Sequence, residues 1–175
     1  MTIEIEIRNG DESWTEVKPL FEKVWWSGAI DDSAFKDVRW ANPDLRVLLE
    51  TTEDGLICHA GLYFRLVTWN GVKMHIGGIG GVSTHPDFRR RGYASVALNA
   101  AVQTLRDRQD AQFGLLFCEP HNAAFYEARG WHPFAGEVYV DQPDGRVLFK
   151  AMAPFVFDLK RAPRRGTIDL GGLPW

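Results

Sequence analysis

Cysteine is scarce in this 175-residue chain: the two present, Cys58 and Cys118, have neither metal-ligand nor redox-pair spacing. That argues against a disulfide framework and predicts two reduced thiols buried in strands, neither of them a nucleophile. His59, His75 and His132 stand in no spacing with Cys, Asp or Glu that would hold a metal, so no metal is expected. No apolar run approaches the ~20 residues that span a bilayer. The amino end, Met1 to Ile7, alternates like a strand and lacks a signal-peptide core. A soluble, cytoplasmic protein with no membrane partner is expected. Twenty Lys and Arg against 23 Asp and Glu, a net charge of −3, leave no broad basic surface for nucleic acid. Internal repeats, low-complexity segments and linkers are also missing, and the length suits a single domain over residues 1–175.

What is present is a changing hydrophobic period. Ile3, Ile5 and Ile7 alternate with charged residues as a first strand, and Asn9-Gly10-Asp11 breaks it and can start a helix. Val17, Leu20, Phe21 and Val24 mark one helical face, ended by Trp25-Trp26-Ser27-Gly28. Ser33 opens a short second helix through about Trp40, before the turn Asn42-Pro43-Asp44. Arg46 to Glu50, Ile57 to Thr68 and Val72 to Thr84 are expected strands of an antiparallel meander, with Glu53-Asp54-Gly55 and Trp69-Asn70-Gly71 as its hairpin turns. A helix from about Gly92 to Arg108 follows, then a buried strand Phe113 to Cys118 and a short helix. Val138 to Val140 and Val147 to Leu159 supply the last strands, and the tail from Lys160 is expected to be loop.

The strand from Val72 runs through Gly80-Gly81-Val82-Ser83-Thr84 into Arg89-Arg90-Arg91-Gly92-Tyr93-Ala94-Ser95, which opens the amphipathic helix. Unpaired N–H groups and the positive end of the helix dipole converge there, and a glycine lets an anion approach the backbone, so the turn suits a diphosphate. Neither Walker nor dinucleotide-fingerprint spacing is present. The Gly77-Gly78-Ile79-Gly80-Gly81 run has two readings: a bulged or bent strand needing close packing, or small residues exposing backbone to a flat ligand.

The pattern Arg89-Arg90-Arg91-Gly92-Tyr93-Ala94 resembles the acetyl-CoA signature of the GNAT N-acetyltransferase superfamily. Downstream, Phe113 to Cys118 followed by Asn122-Ala123-Ala124-Phe125-Tyr126-Glu127-Ala128-Arg129-Gly130-Trp131 resembles its second motif. The resemblance covers roughly Leu45 to Trp131. It implies a mixed α/β GNAT fold, a central, mostly antiparallel twisted sheet of about seven strands flanked by about four helices. It implies acetyl-CoA as cosubstrate and an amine as acceptor. Val82, Ser83 and Thr84 would meet the pantetheine and acetyl group. Arg89, Arg90, Arg91, Gly92, Tyr93, Ala94 and Ser95 would meet the pyrophosphate, with Asn122 near the pantetheine and Tyr126 near the sulfur.

Acetyl transfer to nitrogen needs an uncharged amine, a polarised carbonyl and a proton for the departing thiolate. Orientation can remove roughly 7–11 kcal/mol of barrier, while one acid or base contributes about a hundredfold to ten-thousandfold. Tyr126, a phenol protonated at neutral pH, is the candidate acid; its other reading is a packed aromatic. Asn122 can equally be a helix N-cap. Glu119, just past the buried strand, is the candidate base, against the plainer reading of a solvated loop carboxylate. His85 and His121 are the other candidates for the same proton.

Total length and the ending Ile168 to Trp175 resemble the aminoglycoside 2'-N-acetyltransferases, whose chains also end in tryptophan. Where that family carries a glutamate on the central strand, this chain has Gly80, which puts a polycationic sugar substrate in doubt. The terminal carboxylate of Trp175 is a candidate replacement. Trp25, Trp26, Asp31 and Asp32 are expected to face the acceptor, since aromatics with carboxylates suit a cationic amine. The expected activity is therefore N-acetylation of a small amine. The alternatives are an idle acetyl-CoA-binding module, a protein or peptide N-acetyltransferase, and a longer-chain acyltransferase. A homodimer is expected from the family's habit.

Overall fold

The computed structural model describes residues 1–25 and 33–175, the side chains of residues 33 and 34 excepted. In chain order the elements are β1 (Ile3–Asn9), α1 (Trp14–Val24), α2 (Ser33–Lys36), β2 (Leu45–Thr51), β3 (Gly55–Trp69), β4 (Val72–Thr84), α3 (Tyr93–Asp107) and β5 (Gly114–Cys118). They continue with α4 (Ala123–Glu127), β6 (Trp131–Pro133), β7 (Ala135–Gln142), β8 (Gly145–Leu148), β9 (Ala153–Phe157) and β10 (Arg165–Asp169). Ten strands are thus described where about seven were expected. Two compact units divide the chain, and β3, β4 and α3 contribute residues to both.

The first unit takes in Asn42–Tyr63, Ile79–Thr104 and the described residues of Met1–Asp32. β1 pairs antiparallel with β2, and β2 antiparallel with β3. Asn9 Oδ1 accepts the N–H groups of Asp11 (3.0 Å) and Glu12 (3.2 Å), turning the chain into α1. α1 buries Val17 and Leu20 of the expected apolar face and leaves its Phe21 and Val24 half-buried, while α3 buries Ala97, Leu98 and Ala101. Val47, Leu48 and Leu49 of β2 are fully buried, as are Ile57, Cys58 and Ala60 of β3.

The second unit holds Ser33–Ala41, Phe64–Gly78 and Leu105–Trp175. Its strands follow the order β6-β9-β5-β4-β3-β10-β7-β8. β4 and β5 pair in parallel at Gly77↔Gly114 and Gly78↔Leu115, whereas β5–β9, β9–β6 and β7–β8 are antiparallel. Asn70 (φ 47°) and Gly71 (φ 79°) form the tight β3–β4 turn that Trp69-Asn70-Gly71 announced.

Three expectations are corrected. The tail is not all loop: Arg165–Asp169 forms β10, parallel to β7 and antiparallel to β3. The segment Val147 to Leu159 is two strands, β8 pairing with β7 and β9 pairing with β5 and β6. The second helix stops at Lys36 instead of reaching Trp40.

Gly77 and Gly78 of the glycine run allow close packing. A Cβ at Gly77 would lie 2.5 Å from a Leu105 methyl, and one at Gly78 would lie 2.3 Å from the Trp175 indole. The chain end is accordingly docked: Trp175 is 4% exposed, Arg65 lies 5.0 Å from its ring centroid, and the Ala41 N–H donates to Pro174 O at 2.8 Å.

Candidate active site

In the first unit, β4 ends in a short 3-10 turn (Pro86–Phe88), and the chain then passes through Arg89–Gly92 into α3. Arg90 and Gly92 both adopt left-handed backbone, φ 62° and 85°. A Cβ added at Gly92 would meet nothing within 4 Å, so open space surrounds this backbone. The first helical bond of α3 runs from the Val96 N–H to Gly92 O (3.2 Å), leaving the N–H groups of Tyr93 and Ala94 ahead of it, at the positive end of the dipole. Arg89, Arg90 and Arg91 are exposed around this turn, and Arg89 Nε donates to Thr84 O at 3.3 Å. Phe88 braces it, with Arg91 5.3 Å above its ring and Tyr93 at 6.3 Å. Cationic side chains, unbonded helix-start amides and an open glycine fit a diphosphate.

Upstream, Val82 and Thr84 are half-buried while Ser83 is 2% exposed. The Ser83 hydroxyl donates inward to Gly81 O (3.0 Å) and accepts from Trp25 Nε1 (2.9 Å). Ser83 can therefore reach a ligand only through its backbone, and Trp25 is bonded to this strand. Trp26, Asp31 and Asp32 lie outside the described residues. His85 Nε2 is 3.0 Å from Lys23 Nζ, and His85 Nδ1 takes the Asp87 N–H at 3.2 Å, which ties that histidine into the turn.

Sequence reasoning missed the polar cluster beneath β4. His59 is buried between Arg46 Nη1 (3.0 Å from Nε2) and Gly81 O (2.8 Å from Nδ1). Burial, with the Arg46 charge adding to it, pushes the imidazole pKa down to about 3. The available signal was a histidine inside the apolar run Ile57–Leu62, where a polar group must find partners.

In the second unit, Glu119 follows β5 and lies 3.7 Å from His121 Nε2. Burial raises the neighbouring Cys118 thiol to about 11, with Glu127 and Glu119 adding to the effect, so it is not a nucleophile at neutral pH. In the first unit, Cys58 is also buried and without a disulfide, its pKa raised by burial. Asn122 occupies the N-cap position of α4 but makes no side-chain cap bond. Tyr126 is 8% exposed, its ring 5.0 Å from Phe125 and 6.4 Å from Trp131. Among the described residues no group of three or more His, Cys, Asp or Glu could hold a metal ion, and no helix is long and apolar enough to cross a membrane.

Residues 7–134 match the family described as an acetyltransferase (GNAT) domain. An aminoglycoside 2'-N-acetyltransferase of Mycolicibacterium fortuitum is 31% identical over 90 residues, 51% of this chain and 45% of that protein. The matched segment thus spans less than half of that relative. In structure, a putative N-acetyltransferase from Lactobacillus plantarum superposes with TM-score 0.64 at 18% identity, covering 91% of this chain and 99% of that one. A GNAT family N-acetyltransferase of Escherichia coli in complex with CoA gives 0.62 at 14% identity over 97% and 89%. One from Brucella melitensis in complex with acetyl-CoA gives 0.59 at 15% over 94% of each. At these identities the likeness establishes the mixed α/β GNAT fold alone.

Proposed function

The chain belongs to the GNAT acetyltransferase family, and from that premise we propose that it moves an acetyl group from acetyl-CoA to a primary amine of a small molecule. The observation that carries the reading is the turn before α3, where Arg90 and Gly92 hold left-handed backbone beside three exposed arginines. We assign Arg89, Arg90, Arg91, Gly92, Tyr93, Ala94 and Ser95 to the diphosphate of the cosubstrate, and the backbone of Val82, Ser83 and Thr84 to its acetyl end. Acetyl-CoA, when bound, supplies an activated acyl carbonyl that the amine attacks directly, the N–C bond forming as the C–S bond breaks.

Nitrogen sheds one proton and sulfur takes one. We assign the second proton to Tyr126, on the likeness of the segment Phe113 to Trp131 to the second family motif, and the first to Glu119, which lies just past β5. Asn122, exposed and making no cap bond, is assigned to the pantetheine. For the acceptor, an amino sugar is favoured by the partial likeness to the aminoglycoside enzyme. Gly80 replaces a carboxylate that would attract a polycation, so we propose a less heavily charged amine. Trp25, Trp26, Asp31 and Asp32 are assigned to it; Trp175, expected there too, has its ring buried at 4% exposure and bonded to Leu115 O, so it packs the fold and does not meet the acceptor. Two free, buried cysteines suit the reducing cytoplasm in which we place the enzyme.

Calorimetric titration of acetyl-CoA, with thiol release by the parent and by Tyr126→Phe, tests the assignment. Binding by both, with turnover in the parent alone, supports it. Binding without turnover on any amine would instead identify an acetyl-CoA-binding module.

A further inference from the structure

Gly81 lies inside β4 with φ 59°, so its carbonyl leaves the extended path of the strand. Two side chains take it: His59 Nδ1 at 2.8 Å and Ser83 Oγ at 3.0 Å. The histidine tautomer follows from its other partner. Arg46 Nη1 lies 3.0 Å from Nε2, and a guanidinium can only donate, so Nε2 holds the lone pair and Nδ1 the hydrogen. His59 therefore donates to Gly81 O. Each donor is itself held: Arg46 Nε donates to Gly10 O at 2.9 Å, Phe21 packs edge-on against the imidazole at 5.0 Å, and Trp25 Nε1 donates to Ser83 Oγ at 2.9 Å. His59, Ser83 and Arg46 are 1%, 2% and 4% exposed, so the network lies inside the first unit.

The peptide after Gly81 is trans, and in a planar trans peptide the carbonyl and the following N–H point in opposite directions. Pinning Gly81 O inward thus aims the Val82 N–H the other way. Gly81 has no Cβ to restrict ψ on its side of this peptide, so the two donors fix a carbonyl direction that the residue itself leaves open. We propose that His59 is a positioning residue of the transfer reaction: it locks the Gly81–Val82 peptide so that the Val82 N–H is presented as a donor to the acyl carbonyl. The inference rests on the assignment of Val82–Thr84 to the acetyl end of acetyl-CoA.

Two amides separate the role from bulk and polarity. His59→Asn keeps an N–H donor at the position of Nδ1; His59→Gln places its amide toward Nε2 and Arg46 and loses the donor to Gly81. In ligand-free protein, the Gly81 carbonyl carbon and Val82 amide resonances should stay near the parent's in His59→Asn and move in His59→Gln. In turnover, His59→Gln should lose about tenfold to a hundredfold in kcat, less than the roughly hundredfold to thousandfold of removing an oxyanion donor outright because the donor is misaimed and not deleted, with KM for acetyl-CoA within about threefold. His59→Asn should retain kcat within about threefold. Equal kcat in the two variants, a loss confined to KM, or unmoved resonances in His59→Gln would overturn the proposal. Should His59→Gln not fold, Ser83→Ala removes the other donor and should lower kcat severalfold at constant KM; an unchanged kcat would overturn it. A parent that fails to bind acetyl-CoA ends the functional reading itself, and the resonances still report whether the clamp exists.

Discussion

The indole N–H of Trp175 donates to the carbonyl of Leu115 at 3.1 Å, tying the end of the chain to β5 at the residue that pairs with Gly78. The same ring lies where a Gly78 side chain would be, has Phe117 at 6.2 Å, and is crossed by Arg65, whose Nη1 donates to Leu173 O at 2.6 Å. Trp175→Ala should therefore destabilise the fold by about 3–5 kcal/mol, the usual cost of emptying a buried aromatic site. Trp175→Phe retains most of the apolar volume but deprives Leu115 O of its donor, for about 1–3 kcal/mol. Urea unfolding of the two variants checks the order. Gly78→Ala should mimic the first by driving the ring out.

Acid should weaken the fold through His59. Its folded pKa, about 3, lies below the ordinary 6.5 because burial opposes its charge. Between those values the unfolded chain binds a proton that the folded chain refuses, so stability falls as pH drops below 6.5 and is fully present above it. The slope is about 1.4 kcal/mol per pH unit at its steepest. Urea midpoints of the parent at pH 7, 6 and 5 should decline, and His59→Asn, which has nothing to titrate there, should show a flatter profile.

At the turn, fold and binding should separate. Arg90 holds φ 62°, a conformation that costs a side-chain-bearing residue about 1–2 kcal/mol and a glycine almost nothing. Arg90→Gly should leave the urea midpoint unchanged or raised, while acetyl-CoA binding weakens severalfold, and less so in high salt. Gly92→Ala should do the reverse to the backbone and also weaken binding, by introducing a Cβ at φ 85° where the anion would approach.

Tyr126→Phe should lower kcat by about a hundredfold to ten-thousandfold with unchanged affinity for acetyl-CoA. Removal of one hydroxyl from an 8% exposed ring preserves its packing against Phe125 and Trp131, so circular dichroism should match the parent's.

What was legible in the sequence was local. The Asn70-Gly71 turn, the face Val17, Leu20 of α1, and the path from β4 through Arg89–Gly92 into α3 depend on neighbours within a few positions, and each shows in residue type and spacing. β10 escaped because Arg165–Asp169 buries only Ile168 and owes its strand state to pairing with residues far away in sequence. The break between β8 and β9 follows from β9 joining β5 and not β7, a tertiary choice. His59 was weighed only as a metal ligand, since its partners Arg46 and Gly81 meet it through folding. Ser83 was expected at a ligand, but its hydroxyl faces inward.

Acetyl transfer is tested by CoA thiol release from acetyl-CoA, with the parent protein, across a panel of amines: amino sugars, polyamines, amino acids and short peptides. Saturable, amine-dependent release on a small-molecule amine, highest for an amino sugar, and a product heavier by one acetyl group are expected. Absence of acetyl-CoA-dependent product on every amine, or transfer confined to peptide amines, would contradict the proposed function.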